Sequence, residues 1–567
     1  MTNHPTHSAA HHASKFTSKQ RTIALVIVAL AFVMDLLDNT IVNIAIPSIR
    51  DNLGASYATI QWLIAGYALS FAVLLITGGR MGDVFGYKKL FMIGVGGFTL
   101  ASLLSGAAWN ADVLIAARLF QGAMAALMVP QVMSLMQIMY KPNERGGIMG
   151  IFGALAGVAA SLGPVIGGIL IHFNILGLDW RPIFLINIPV GLFALFMGWK
   201  YLPDGKSPHP LKLDITGTLI IVVAMFLLVF PLIEGRDLGW PTWIYLMMAS
   251  AAPVLALFVW WQNVKDKKDH SALVVPALLK TRTFVIGLII NIIFEGAMIG
   301  FFLPFTLILQ IGLGYEVIKA ALAGIPIAIG ISVAMAVFSQ KIILKLGRYT
   351  MTLGTLIMAC GLALTYAFVH RHGIDTKAWE FIPGLLVTGA GMALIMSPMF
   401  SVVLTDVDSK HAGSASGVMN AVQQLGGAMG TALIGVFFFG QLVSHAPASF
   451  QTVEPQIRTS LASAAIPQEA QDQIVSASKA CFIDTNHQRD AAESPESCRQ
   501  LSNQQSTPGA ETIKSTVTDA AKKANANNFI DAFRIAMIFE AIILGVVFLL
   551  SFTLPRHIRP EAMQEAF

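Results

Sequence analysis

Apolar runs of about 20 residues recur along almost the whole chain, separated by short stretches rich in Gly, Pro, Asp, Lys and Arg. A helix rises about 1.5 Å per residue, so each run matches the roughly 30 Å hydrocarbon core of a bilayer. The pattern predicts membrane-spanning helices near 23–46, 57–79, 90–109, 112–137, 146–172, 183–202, 214–233, 243–262, 283–309, 319–339, 350–369, 380–404, 412–440 and 530–554. One segment departs from this rhythm. Residues 441–529 are long and rich in Ala, Ser, Gln, Asn and Asp, with moderate helical character from Pro467 to Lys479. It reads as a partly ordered cap, with a disordered loop as the alternative.

Composition agrees with the pattern. Of the 567 residues 55% are hydrophobic and only 12% charged, where a soluble protein carries about twice that charged share. A soluble multidomain chain would need many helices with no polar face, so that class is excluded. The net charge of +5 reflects Lys and Arg in the short loops and does not point to nucleic acid. About 22 basic residues fall on the side holding Lys88, Lys89, Arg145 and the Lys265–Lys268 run, against about 6 in the opposite short loops, so the positive-inside rule predicts both termini in the cytoplasm. His4, His7, His11 and His12 in the N-terminal tail fit no closed metal site. Cys360 lies in an apolar span and is expected to pack there.

Several short motifs carry more information. After the second span comes Gly78-Gly79-Arg80-Met81-Gly82-Asp83-Val84-Phe85-Gly86-Tyr87-Lys88-Lys89, a tight turn that sets one carboxylate among cations. The first span holds Leu37-Asp38-Asn39-Thr40-Ile41-Val42-Asn43-Ile44-Ala45-Ile46-Pro47, the fourth Arg118-Leu119-Phe120-Gln121-Gly122. In the fifth, Gly153, Gly157, Gly163, Pro164, Gly167 and Gly168 make a helix of small residues, which lets membrane helices approach closely. Trp180-Arg181 precedes Phe184-Leu185-Ile186-Asn187-Ile188-Pro189. In this order the segments resemble the fourteen-span drug:proton antiporter family of the major facilitator superfamily, over residues 23 to about 440 and the last span. Asp83, Gly86 and Lys88 match its gating loop, while Val84 and Tyr87 stand where that family usually has Arg. The fifth-span glycines and Pro164 match its antiporter motif. The resemblance implies an all-α integral membrane protein of two six-helix bundles plus two inserted helices. Its parts are a tail at 1–22, a bundle at 23–202, two inserted spans at 203–282, a bundle at 283–554 that includes the outer segment 441–529, and a tail at 555–567.

Charge at membrane depth costs a few kcal/mol, so each such residue calls for a reason. Counted at 1.5 Å per residue, Asp35 lies about 18 Å above the inner face, Asp38 about 23 Å, Arg118 about 21 Å and Glu295 about 18 Å. They share the layer where transporters of this class bind substrate. In the related family the first-helix acid and the fourth-helix Arg are tied to proton coupling, roles that pass to Asp38 and Arg118. Depth and chemistry add Asp35 and Glu295 as acids facing a cationic substrate, with Trp62 and Tyr67 as aromatic lining. Asn43 and Asn187 read as groups that hydrogen-bond between helices. Glu540, on the last span, is set aside as peripheral.

The expected function is proton-coupled export of amphipathic, mainly cationic, drugs or toxic compounds across the bacterial inner membrane by alternating access. A proton falling through about 100 mV releases roughly 2.3 kcal/mol, and the chain has no Gly-x-x-x-x-Gly-Lys-Ser/Thr pattern for ATP. The alternative is the same fold carrying lipids, fatty acids, amino acids or a siderophore; a second is a membrane sensor using its outer segment. Expected partners are small-molecule substrates, protons and membrane lipids, with a periplasmic adaptor left open and no nucleic acid, cofactor, metal or enzymatic activity. Cys481 and Cys498, close together in the outer segment, are expected to form a disulfide, as two thiols do in an oxidising compartment.

Overall fold

A computed structural model of the protein describes residues 17–207, 211–337, 345–408, 411–464, 466–487, 495–503 and 510–556. The histidine-bearing tail lies outside the described residues. Everything regular within them is helical. The helices are α1 (Ser18–Leu53), α2 (Tyr57–Phe85), α3 (Tyr87–Gly106), α4 (Ala111–Met139), α5 (Pro142–His172), α6 (Pro182–Tyr201, with a kink at Ile186), α7 (Ile215–Glu234), α8 (Thr242–Asp269), α9 (Arg282–Gly312), α10 (Val317–Met335), α11 (Arg348–His372), α12 (Phe381–Val403), α13 (Ala412–Ser463), α14 (Gln468–His487), α15 (Glu496–Asn503) and α16 (Ala510–Ser551). Among the described residues, thirteen of these are long and apolar enough to cross a membrane. The 31-residue α5 has the length for another crossing, and its stretch Leu162–His172 is apolar.

Local chemistry sets the boundaries. Thr17 accepts from the Gln20 backbone N–H while the Gln20 side chain accepts from the Thr17 N–H at 3.1 Å, so α1 starts at Ser18, earlier than its apolar run suggests. Gly54, at φ 63°, ends it in the left-handed conformation that favours glycine. Cross-links between loops and helix ends define two ends of the bundle. At the lower end Arg21 meets Glu144 at 2.5 Å, Lys88 reaches Asp204 at 3.8 Å, and Arg80 donates to the Ser271 carbonyl at 2.5 Å. At the upper end Arg181 donates to Asn52 at 3.2 Å and Trp62 to Glu234 at 2.7 Å.

One apolar core joins α9 to α13 with α16 and takes in Ile44, Ile46, Ile60 and Ile64 of α1 and α2; two others join α1 to α6. A smaller one seats α7 against α2 and α13, so the inserted pair lies beside the junction of the two bundles. Only 17% of the apolar stretch of α8 is buried, which makes it the most peripheral of the candidate spans. Outward-facing Phe196, Trp199, Ile542 and Leu549 present the apolar surface that lipid requires. Cys360 of α11 is also exposed rather than packed inside as its apolar span suggested.

The 441–529 segment corrects the sequence reading in degree. Expected as a partly ordered cap with helical character at Pro467 to Lys479, it is mostly helix among its described residues. α13 does not stop at 440; it continues to Ser463, 52 residues in all, far longer than a bilayer needs. Ala446, Phe450, Val453, Ile457 and Leu461 explain this, since their spacing of three and four keeps them on one face. That face buries Ile474, Val475 and Phe482 of α14 and Ala520 and Ala524 of α16. Arg458 adds bonds to Glu454 at 2.9 Å and Asp472 at 2.5 Å, and Asn528 donates to the Leu442 carbonyl at 2.9 Å. Cys481 of α14 and Cys498 of α15 are joined as a disulfide, their Cα atoms 4.6 Å apart.

Closing a loop of this length stabilises a local fold by about 3 kcal/mol on a chain-entropy model. Replacing both cysteines with Ser is expected to speed hydrogen exchange in α15 and the end of α14 while exchange in the membrane-spanning helices stays unchanged. Hydrogen–deuterium exchange with peptide mapping reads both, and a rise in α1 to α6 would show that the cap supports the bundle.

Candidate functional site

The polar groups of the first bundle converge on Asp38. Its side chain is fully buried and forms an ion pair with Arg118. The same carboxylate accepts from Gln121 Nε2 at 2.8 Å and from Asn187 Nδ2 at 2.7 Å, both on Oδ1. Arg118 in turn donates to Gln121 Oε1 at 2.7 Å and through Nε to the Leu63 carbonyl at 3.1 Å. Ser102 Oγ accepts from Gln121 at 3.0 Å and from Asn187 at 3.2 Å. Five helices, α1, α2, α3, α4 and α6, thus meet at one charge pair. The family resemblance singled out Asp38 and Arg118, and the depth count set them in one layer. Gln121 and Ser102 were missed as members, although an uncharged polar side chain at the same depth was a readable signal.

Asp35 lies one turn away and accepts from the Tyr67 hydroxyl. The Tyr67 ring also faces Arg118, whose Cζ is 4.3 Å from its centroid, so Tyr67 touches both the second acid and the cation. Trp62 is placed elsewhere. It turns from this network toward α7, where it bonds Glu234 and packs 6.1 Å from Phe230. Glu295 belongs to the other bundle: it is buried on α9 and accepts from Gln423 Nε2 of α13 at 2.6 Å. Glu540 is not peripheral in the sense of being exposed. It is 2% exposed, lies against Gly300 of α9, and its Oε2 has no partner among the described residues.

The glycines of α5 perform a defined steric task. A side chain at Gly163 would strike Thr40, one at Gly167 would strike Ile41 and Ile44 at 2.7 Å, and one at Gly168 would meet Ala321 at 2.9 Å. The upper part of α5, which carries Pro164 within the helix, is therefore held against α1 of its own bundle and α10 of the other. Gly153 and Gly157 lie outside the described surroundings. The two bundles also meet at the upper end through Tyr57 stacked on Phe439 at 4.0 Å and Gln310 donating to the Ile44 carbonyl at 3.0 Å.

In the lower loop, Asp83 accepts from the Tyr87 hydroxyl at 2.8 Å, so Tyr87 stands in as a neutral donor where an Arg was expected. Gly86, at φ 103°, makes the turn, and Tyr87 N–H donates to the Gly205 carbonyl at 2.9 Å. Lys88 reaches Asp204 and not Asp83. Arg80, buried, spans to the Ser271 and Ala272 carbonyls ahead of α9 and so ties the loop to the start of the second bundle.

The family model of the Major Facilitator Superfamily matches residues 28–431. A curated relative, the probable actinorhodin transporter of Streptomyces coelicolor, is 36% identical over 542 residues, covering 96% of this chain and 93% of its own length. The puromycin resistance protein pur8 of Streptomyces alboniger is 32% identical, with 75% and 83% covered. The tetracenomycin C resistance and export protein of Streptomyces glaucescens is 30% identical, with 73% and 75% covered. Among solved structures, a bacterial homolog of the human lysosomal transporter Spinster superposes with a TM-score of 0.57 at 15% identity, over 96% of this chain and 100% of that one. At that identity it shows the fold alone.

The loop glycines give a sharp contrast. A Cβ at Gly78 would collide with the Ala126 backbone carbonyl, which has no flexible end to move, whereas one at Gly79 would rest 3.5 Å from Pro130. Gly78→Ala should cost about 1–3 kcal/mol as an overpacked contact, and Gly79→Ala should stay within about 0.5 kcal/mol. Thermal unfolding of the two purified variants checks this; equal melting temperatures would mean that α2 and α4 are less closely held.

Proposed function

The chain belongs to the Major Facilitator Superfamily, and from that premise we propose that it is a drug exporter that drives amphipathic, mainly cationic, compounds out of the cell in exchange for protons. Family membership makes it a transporter rather than an enzyme, and antibiotic resistance and export proteins among its relatives support a drug efflux role. The membrane is the bacterial inner membrane, with the lower end and both termini in the cytoplasm, as the distribution of Lys and Arg favours.

The observation that carries the proton step is the fully buried Asp38–Arg118 pair with its ring of donors. While Asp38 is ionised, it attracts donors from α4 and α6 toward α1. A proton on Asp38 cancels the attraction, leaves Arg118 to Gln121, the Leu63 carbonyl and the Tyr67 ring, and frees α1 to shift against α4. Loss of the proton to the cytoplasm restores the clamp. Asp35 and, across the bundle junction, Glu295 supply the carboxylates for a cationic substrate, and Tyr67 supplies a ring face. Asp83, Gly86 and Lys88 form the lower gate together with Arg80. The small-residue face of α5 is the contact on which the bundles rock, closed at the upper end in this conformation.

Proteoliposomes loaded with ethidium and given a proton gradient test the whole reading. Wild-type protein should transport dye, and an uncoupler should stop it. Asp38→Asn should abolish gradient-driven transport. Removing one member of a buried pair costs about 3–5 kcal/mol, while removing both charges costs much less. The double variant Asp38→Asn/Arg118→Gln should therefore recover thermal stability over either single variant without recovering transport. Full transport by Asp38→Asn would refute the coupling role, and transport indifferent to the uncoupler would refute proton exchange.

A further inference from the structure

The outer surface of the second bundle carries a recess that the transport reading does not use. It lies near the upper end, between α11, α13 and α16, encloses about 380 Å³, and is lined by Tyr366, His445, Asp531, Arg534, Ile535 and Ile538. Its chemistry changes from top to bottom. At the top Arg534 donates to Asp531 at 3.0 Å and also contacts His370. Its guanidinium carbon lies 5.7 Å from the centre of the Tyr366 ring, which stacks on His370 at 5.7 Å. Yet the Arg534 Nε–H is shielded from solvent and has no partner among the described residues. A donor of this kind costs free energy until an acceptor reaches it.

The lower wall is apolar. Ile538 is 48% exposed, and beneath it Ile542, Val546 and Leu549 are also exposed at spacings of four, four and three. These side chains form one stripe down α16, about 17 Å long at 1.5 Å per residue. A charged head above a long outward-facing apolar track, at the end of a membrane-spanning helix, has the amphipathic profile of one molecular class.

We propose that this recess binds a phospholipid. The lipid phosphate takes the vacant Arg534 donor, and an acyl chain runs along Ile538, Ile542, Val546 and Leu549. Arginine suits this task because a charged N–H donor bonds a phosphate oxygen about twice as strongly as a neutral one does. Asp531, already on the other edge of the guanidinium, leaves the site close to neutral. It therefore accommodates a phosphate with an attached ammonium as well as an anionic headgroup, and the shared feature is the phosphodiester. The site does not depend on what the protein transports.

Native mass spectrometry of the purified full-length protein, titrated with phosphatidylglycerol, phosphatidylethanolamine or inorganic phosphate, tests the assignment. Wild-type protein should retain a phospholipid at concentrations where Arg534→Gln and Ile538→Trp each retain at least about tenfold less. Ile538→Trp fills the recess from an exposed position and keeps every charge, so it decides the matter if Arg534→Gln fails to fold. Preference between the two lipids identifies the headgroup, and either preference supports the proposal. Equal retention by wild type and Ile538→Trp would overturn it. So would binding of inorganic phosphate without either lipid, which would make the recess a site for a free anion.

Discussion

A carboxylate and a guanidinium, both stripped of water, share the interior of the first bundle, and each is tolerable there only because the other is present. Breaking such a pair costs about 3–5 kcal/mol, comparable to a large part of the stability of an ordinary domain. Asp38 and Arg118 are therefore a constraint on every helix around them. Gln121 and Asn187 donate to Asp38, Gln121 accepts from Arg118, and Ser102 accepts from both amides, which fixes how α1, α3, α4 and α6 face one another. With α2 joined through the Leu63 carbonyl, five helices are held around the pair, and under the proposed coupling role a proton on Asp38 is what releases them.

Around this pair the helices approach through close backbone contact. Where Gly163, Gly167 and Gly168 press α5 on α1 and α10, and where Gly78 presses α2 on α4, contact is made without long side chains that would interlock. Lipid gives no hydrophobic incentive for helices to associate, so shape and small residues do most of the work. Between the bundles, Ile44, Ile46, Ile60 and Ile64 of α1 and α2 share the apolar core of the second bundle, and Tyr57 on Phe439 and Gln310 on the Ile44 carbonyl add directional contacts at the upper end. Above them the cap of α13, α14, α15 and α16 follows different physics. It has its own small apolar core, a disulfide and surface ion pairs, as expected of a segment that stands in water.

Some of this was legible in the residues because it depends on local properties. Apolar runs of bilayer length locate spans whatever the packing. The depth count placed Asp38 and Arg118 in one layer because rise per residue is constant. The count could not show which faces the helices turn. Trp62 lies on the same helix as Tyr67, five residues away, and that offset is enough to send it toward α7 and Glu234. Glu540 looked peripheral from its place in the chain, yet it is buried against Gly300, since a helix has an inward face even at the edge of a bundle. Tyr87 was read as the loss of a charge in the gating loop; in three dimensions its hydroxyl supplies Asp83 with a donor.

The sequence by itself determined the solvent, the helices, their order through the membrane and the family, since hydropathy, turn glycines and short motifs act within a few residues of one another. It also placed charged residues within the apolar helices, where they are buried. Tertiary structure alone decided how those charges are satisfied. Asp38 meets Arg118 across 80 residues and Asn187 across 149, and no local rule relates positions so far apart. It decided too that the polar 441–529 segment would continue α13 and α16 as helix, because a helix of such composition is stable only when a stripe like Phe450, Val453 and Ile457 finds an apolar partner to cover it.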